Sequence, residues 1–371
     1  MPTFLSMVVR SWSGRIGLLL VIFVAATLTV TGQSAGSSAA EAGWNALDEG
    51  DGEKAAAAFT KALAEHPRDP ALLFGAGVAA HLAGREPAAC ELLRQALRVE
   101  PRLTPASVLL GQITYDLGDI AAAIRVYEEA LVHVPRQRVL RERLDVWRSE
   151  SSKTTYISGP YTIMFEGHRD ETLAAHATTV LDAAYWRIGK TIGAYPSVPI
   201  TVILYTDQEF HYVTGAPEWS AGSFDTRIRI PVLGALHTTA GFDRVLTHEL
   251  AHAMVASLAA RGVPAWLHEG LAVNLEPGDV NSAEQRLRAR RLFVPLERLQ
   301  SGFARFDDAE ARVAYDVSAV AARALMNQLG TQVGLLLGEL DRGTDFIAAT
   351  ARFGIQANEF EGALSRTINR P

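Results

Sequence analysis

Apolar and small side chains return along residues 41–140 with a period of 34. Gly43, Gly77 and Gly111 form one column, Ala55, Ala89 and Ala123 a second, Ala62, Ala96 and Ala130 a third, and Pro67, Pro101 and Pro135 a fourth. Phe59, Leu93 and Tyr127 fill a fifth. This pattern predicts pairs of helices: small residues let them approach, the large apolar residue fills the gap between them, and the proline ends the second helix. A further helix, "RQRVLRERLDVWRSE", is predicted to cap the stack. From about Ser151 the pattern changes. "YTIMFEG" (161–167), "ITVILYT" (200–206) and "RIRIPVLG" (227–234) read as strands. The last alternates Arg and Ile, as a strand with one wet face does, often at a sheet edge. Leu173, Val180, Leu181, Ala184, Ile188 and Ile192 give 171–193 helical spacing, and everything after about 240 reads as helix. The predicted fold class is α+β: an all-helical repeat region over 41–150, then a domain over 151–371 with a small sheet and a helical lobe.

The first 40 residues follow another pattern. Arg10 and Arg15 precede the uncharged run "IGLLLVIFVAATLTV" (16–30), and the small-residue stretch "TGQSAGSSAA" follows. Basic flank, apolar core and small residues make an export signal, either cleaved or retained as a membrane anchor. The run is short of the ~20 residues a comfortable span needs. No cysteine follows it, which excludes a lipoprotein. The rest of the chain is therefore expected outside the cytoplasm, in the periplasm or on the outer face of a bacterial inner membrane.

Composition narrows the function. Net charge is -6 with both signs mixed throughout the chain, and no block is basic enough for nucleic acid. The one cysteine, Cys90, lies in an apolar helical pattern and allows neither an internal disulfide nor a cysteine zinc cluster. The 34-residue unit resembles the tetratricopeptide repeat. That resemblance implies a helical solenoid with a small concave surface, which either docks a peptide or protein partner or spaces the following domain from a membrane.

The candidate chemistry lies in "RVLTHELAHAMVASLAARGVPAWLHEGLAVNLEPG" (244–278). It reads as two apolar helices, the first running to Gly262 and the second starting at Pro264 and ending before Pro277. His248 and His252 are four residues apart, so they stand one turn above the other on one face and can meet one cation. Glu249, about 100° round the helix, can reach a water on the open side of that cation. A catalytic zinc site needs a third protein ligand. Glu269 and His268 are the candidates, with Glu269 preferred because a buried lone carboxylate is costly and a cation relieves the cost.

"HELAH" followed by "PAWLHEGLA" resembles the gluzincin zinc metallopeptidases, in particular the peptidase-MA-like domains. The resemblance covers about 160–370. It implies a zincin-like domain holding one Zn2+ per chain on His248, His252 and Glu269, with Glu249 as general base for hydrolysis of a peptide or protein substrate. It also implies a substrate-binding edge strand before the zinc helix, where "AGSFDTRIRIPV" (221–232) stands, and an oxyanion donor on a downstream helix. Tyr315 and Ser318 in "VAYDVSAVAARALMNQLG" suit that arrangement, with Tyr315 as the donor. Asn274 and Asp316 are candidates for orienting the histidines. No exopeptidase signature stands out, so endopeptidase is the default. The alternative is a repeat-based envelope scaffold whose C-terminal domain binds metal without catalysis.

Overall fold

A computed structural model describes residues 38–165, 171–206, 209–210, 223–224, 227–231, 239–278, 281–303 and 306–369. The predicted export segment lies outside these up to residue 37, while Ser38, Ala39 and Ala40 form the first turn of a helix. Among the described residues no helix is long and apolar enough to cross a membrane. The chain divides between Ser152 and Lys153 into two compact units.

The first unit is wholly helical: α1 (Ser38–Asp48), α2 (Gly52–Glu65), α3 (Pro70–Leu82), α4 (Glu86–Val99), α5 (Thr104–Asp116), α6 (Ile120–His133) and α7 (Arg138–Ser151). α2, α4 and α6 each end just before the predicted proline. The columns meet as their spacing predicts. A Cβ on Gly43, Gly77 or Gly111 would lie 2.9, 2.9 or 2.2 Å from the side chain of Phe59, Leu93 or Tyr127, so each glycine makes room for one large residue. The helix α7 closes the stack. Its Trp147 stacks on Tyr115 with centroids 5.0 Å apart and tilts against Tyr127 at 4.5 Å. Buried Glu150 accepts a hydrogen bond from the Tyr115 hydroxyl.

The second unit opens with a sheet. The hairpin β1 (Thr154–Ser158) and β2 (Tyr161–Phe165) is antiparallel. Helix α8 (Glu171–Ile192) then carries the chain to β3 (Ile200–Tyr205), parallel to β2. Strand β5 (Ile228–Pro231) lies parallel to β3, and β4 (Ser223–Phe224) pairs antiparallel with β5. The order is β1-β2-β3-β5-β4. This corrects the reading of 227–234 as an edge strand with a wet face. β5 is interior, and Arg227 and Arg229 are only 5% and 2% exposed. Ile228 and Ile230 enter the core, while Arg229 stands in register with buried Ile203. A parallel strand beside another parallel strand is covered on both faces, so alternation there does not mean solvent.

The helical lobe comprises α9 (Thr239–Leu258), α10 (Ala265–Leu275), α11 (Asn281–Arg290), a 3-10 turn (Leu296–Leu299), α12 (Asp308–Leu329), α13 (Val333–Asp341), α14 (Phe346–Ala351) and α15 (Ala357–Asn369). α12 starts at a capping box between Asp307 and Glu310. One core joins Ile163, Val202 and Ile228 of the sheet to Leu181 of α8, Leu246 and Leu250 of α9, Leu271 of α10 and Val317 of α12.

Candidate metal centre

Helix α9 stops at Leu258, four residues before the predicted Gly262. The link to α10 uses Gly262 at φ +80°, where a Cβ would also come within 2.3 Å of the Leu340 carbonyl oxygen. Only glycine adopts that backbone and spacing without strain. Pro264 precedes α10 with extended backbone instead of opening its first turn. On α10, Gly270 lies against α12. A Cβ there would meet the Ser318 carbonyl oxygen at 2.2 Å and Ala322 Cβ at 2.6 Å. The backbone of α10 is thus held close to α12 at the residue after Glu269.

These contacts bring the predicted ligands together. The candidate ligand atoms of His248, His252 and Glu269 all lie within 4.8 Å of one another, and all three residues are buried. Nε2 of His252 is 3.0 Å from Nε2 of His248 and 3.4 Å from Oε2 of Glu269. Two atoms each about 2.0–2.1 Å from one tetrahedral zinc ion would be about 3.3–3.4 Å apart. The outer ring nitrogens are engaged elsewhere: Nδ1 of His248 on Glu276 Oε2 at 2.8 Å, and Nδ1 of His252 on Nδ1 of His268 at 2.7 Å. Sequence reasoning missed Glu276 and treated His268 as an alternative ligand. The chain returning along α10 gives both a place behind the two rings.

Both carboxylate oxygens of Glu249 and Oε2 of Glu269 are buried with no hydrogen-bond partner. Burial raises the Glu249 carboxyl to about 8, with His248 opposing, and burial raises that of Glu269. Burial disfavours charge on His248, but Glu276, Glu249 and Glu269 together lift it to about 9. Burial, then His248, holds His252 well below its ordinary value, and burial, then His252, takes His268 to about 3. Buried carboxylates without partners are costly. A divalent cation between the two Nε2 atoms and the Glu269 carboxylate would relieve that cost, and the two-nitrogen, one-oxygen donor set suits zinc. The residues fit the ion.

The other predicted residues make the following contacts. Tyr315 is half-buried on α12, its ring edge-on to Phe303 with centroids 5.0 Å apart. Ser318 is buried and donates to the Ala314 carbonyl in its own helix. Asn274 does not orient a histidine in this structure. Its amide donates to the carbonyls of Gly270 and Ala319, tying α10 to α12. Nor does Asp316, which takes both ends of the Arg286 guanidinium at 2.9 and 2.5 Å. Of the predicted substrate strand 221–232, the described part is 223–224 and 227–231, and β4 is the outer strand.

The tetratricopeptide repeat family model matches residues 41–108. Interferon-induced protein with tetratricopeptide repeats 3 of Mus musculus is 32% identical over 100 residues, 26% of this chain and 25% of that protein. The chain thus spans about a quarter of the length of the curated relative it matches. The helical repeat ahead of the candidate metal centre is of the tetratricopeptide type, a repeat that suggests a protein-interaction role.

Proposed function

We propose that residues 153–371 form a zinc-dependent peptidase and that the repeats bind a protein or peptide partner or substrate. One observation carries the reading: two histidines one helical turn apart converge with a carboxylate from the next helix, and the glutamate between them is buried with both oxygens unpartnered. Bound there on His248, His252 and Glu269, zinc would bring the pKa of a water to about 7 and polarise a substrate carbonyl. Glu249, its carboxylate free of any protein partner, accepts the proton of the attacking water and delivers it to the leaving amine. Glu276 holds the His248 imidazole in place. Tyr315 remains our candidate donor to the oxygen on which charge develops. The basic flank and apolar run at 10–30 support an exported protein in the periplasm or at the outer face of the membrane.

The repeats support a second reading, an envelope scaffold whose C-terminal unit binds metal and hydrolyses nothing. Glu249 separates the two, since metal retention alone does not need it. The test is Glu249→Gln in the full chain, assayed for zinc content and for cleavage of a peptide library. About one zinc per chain is expected in both proteins, with peptide cleavage by the wild type reduced at least about 100-fold in the variant. Cleavage at the wild-type rate by the variant would refute the mechanism. A zinc-loaded wild type that cleaves nothing would leave the scaffold.

A further inference from the structure

We propose that His268 is a positioning residue for the metal centre: it accepts a hydrogen bond from Nδ1–H of His252 and so fixes the tautomer in which Nε2 of His252 faces the cation. The inference rests on the zinc reading above and adds to it how the second histidine is held. The two Nδ1 atoms are 2.7 Å apart, and the ring planes lie within 10° of each other with centroids 4.7 Å apart, so the rings meet at their nitrogen edges rather than face to face. Two bare lone pairs, or two N–H groups, could not face each other at that distance, so one proton lies between them. A neutral imidazole carries one N–H. If Nε2 of His252 is to offer its lone pair toward His248 and Glu269, 3.0 and 3.4 Å away, that proton is on Nδ1 of His252. His268 is then the acceptor, and its own proton is on Nε2. The centre therefore orients its two histidines by different means: a carboxylate, Glu276, for His248, and a neutral imidazole for His252.

A phenylalanine at 268 keeps an aromatic ring and removes the acceptor. An asparagine places Oδ1 as many bonds from Cα as Nδ1 of histidine, so it restores the acceptor without the ring. Zinc affinity of the full chain is measured by competition with a chromophoric chelator for wild type, His268→Phe and His268→Asn. His268→Phe is expected to bind zinc about 10–100-fold more weakly, as loss of such partners does, and His268→Asn to recover to within about threefold of wild type. A second readout needs no folded variant: in zinc-loaded wild type labelled with 15N-histidine, one buried histidine should show a protonated Nε2 and a bare, hydrogen-bonded Nδ1. Wild-type affinity in His268→Phe, or a His268 ring protonated at Nδ1, would overturn the proposal. Failure of the wild type itself to bind zinc would instead overturn the metal-site reading on which it rests.

Discussion

Glu276 is the residue whose role sequence spacing could not supply. It stands 28 positions after His248, beyond the end of α10, yet its carboxylate receives Nδ1 of His248 at 2.8 Å. Such carboxylate–histidine contacts fix ring orientation and raise ligand basicity, and their loss commonly costs 10–100-fold in metal affinity. Glu276→Ala should weaken zinc binding by about that factor, while Glu276→Gln, which keeps an acceptor but not the charge, should lie between it and wild type. Equilibrium dialysis against buffered zinc measures both, and an alanine variant with wild-type affinity would remove Glu276 from the centre. The histidine pair was legible because a spacing of four is a local property of one helix. The pairings of Glu276 and His268 were not, because they depend on how α10 returns past α9. The same limit applies to Asp316: its carboxylate is committed to Arg286, 30 positions away.

Between elements, the close approach of α10 to α12 places the third candidate ligand. Gly270→Ala sets two effects against each other. Alanine favours a helix over glycine by about 0.8–1.0 kcal/mol, whereas overpacking a tight contact costs about 1–3 kcal/mol. The blocking atom is the Ser318 backbone carbonyl, 2.2 Å from the added methyl, and it has no rotamer by which to withdraw. Overpacking should win. The variant should unfold at lower urea than wild type with metal chelated, and should bind zinc more weakly because Glu269 moves with the helix. Equal urea midpoints would show that α12 yields freely. The "HEG" string hinted at this approach, since glycine after a buried glutamate lets backbones come near. The sheet was less legible. The Arg–Ile alternation of β5 was a sound local signal, but β3 and β4 pair with both its edges and its residues are buried on both faces. β4, two residues long, and β1, exposed on four of its five residues, carry too little pattern to be read in advance.

Among the described residues, buried hydrophobic side chains form separate clusters, one including Ala40–Ile113 of the repeats and one running from Tyr161 to Ile368. All three candidate ligands sit in the second. The repeats could be found from sequence because each unit restates the same five columns; the second core is built once, from distant segments, so its elements and its candidate metal motif could be read but not how they pack together. This division gives a thermal prediction. A ligand that binds only the native state stabilises it by about 2.7 kcal/mol at a hundredfold excess over its dissociation constant. For a unit of roughly this size, 1 kcal/mol shifts the midpoint by about 2–4 °C. Removing zinc with a chelator should therefore lower the transition of the ligand-bearing core by about 5–10 °C. The transition of the repeat core, which holds none of the ligands, should stay in place. The direction follows from the site: without the cation, Glu249 and Glu269 are buried carboxyl groups with unpartnered oxygens whose ionised form burial disfavours, a cost the native state alone bears. Differential scanning calorimetry of the full chain, with zinc and with chelator, distinguishes the outcomes. Two identical traces would mean that no ion binds there. A displaced repeat transition would mean that the ion acts beyond the core that contains its ligands.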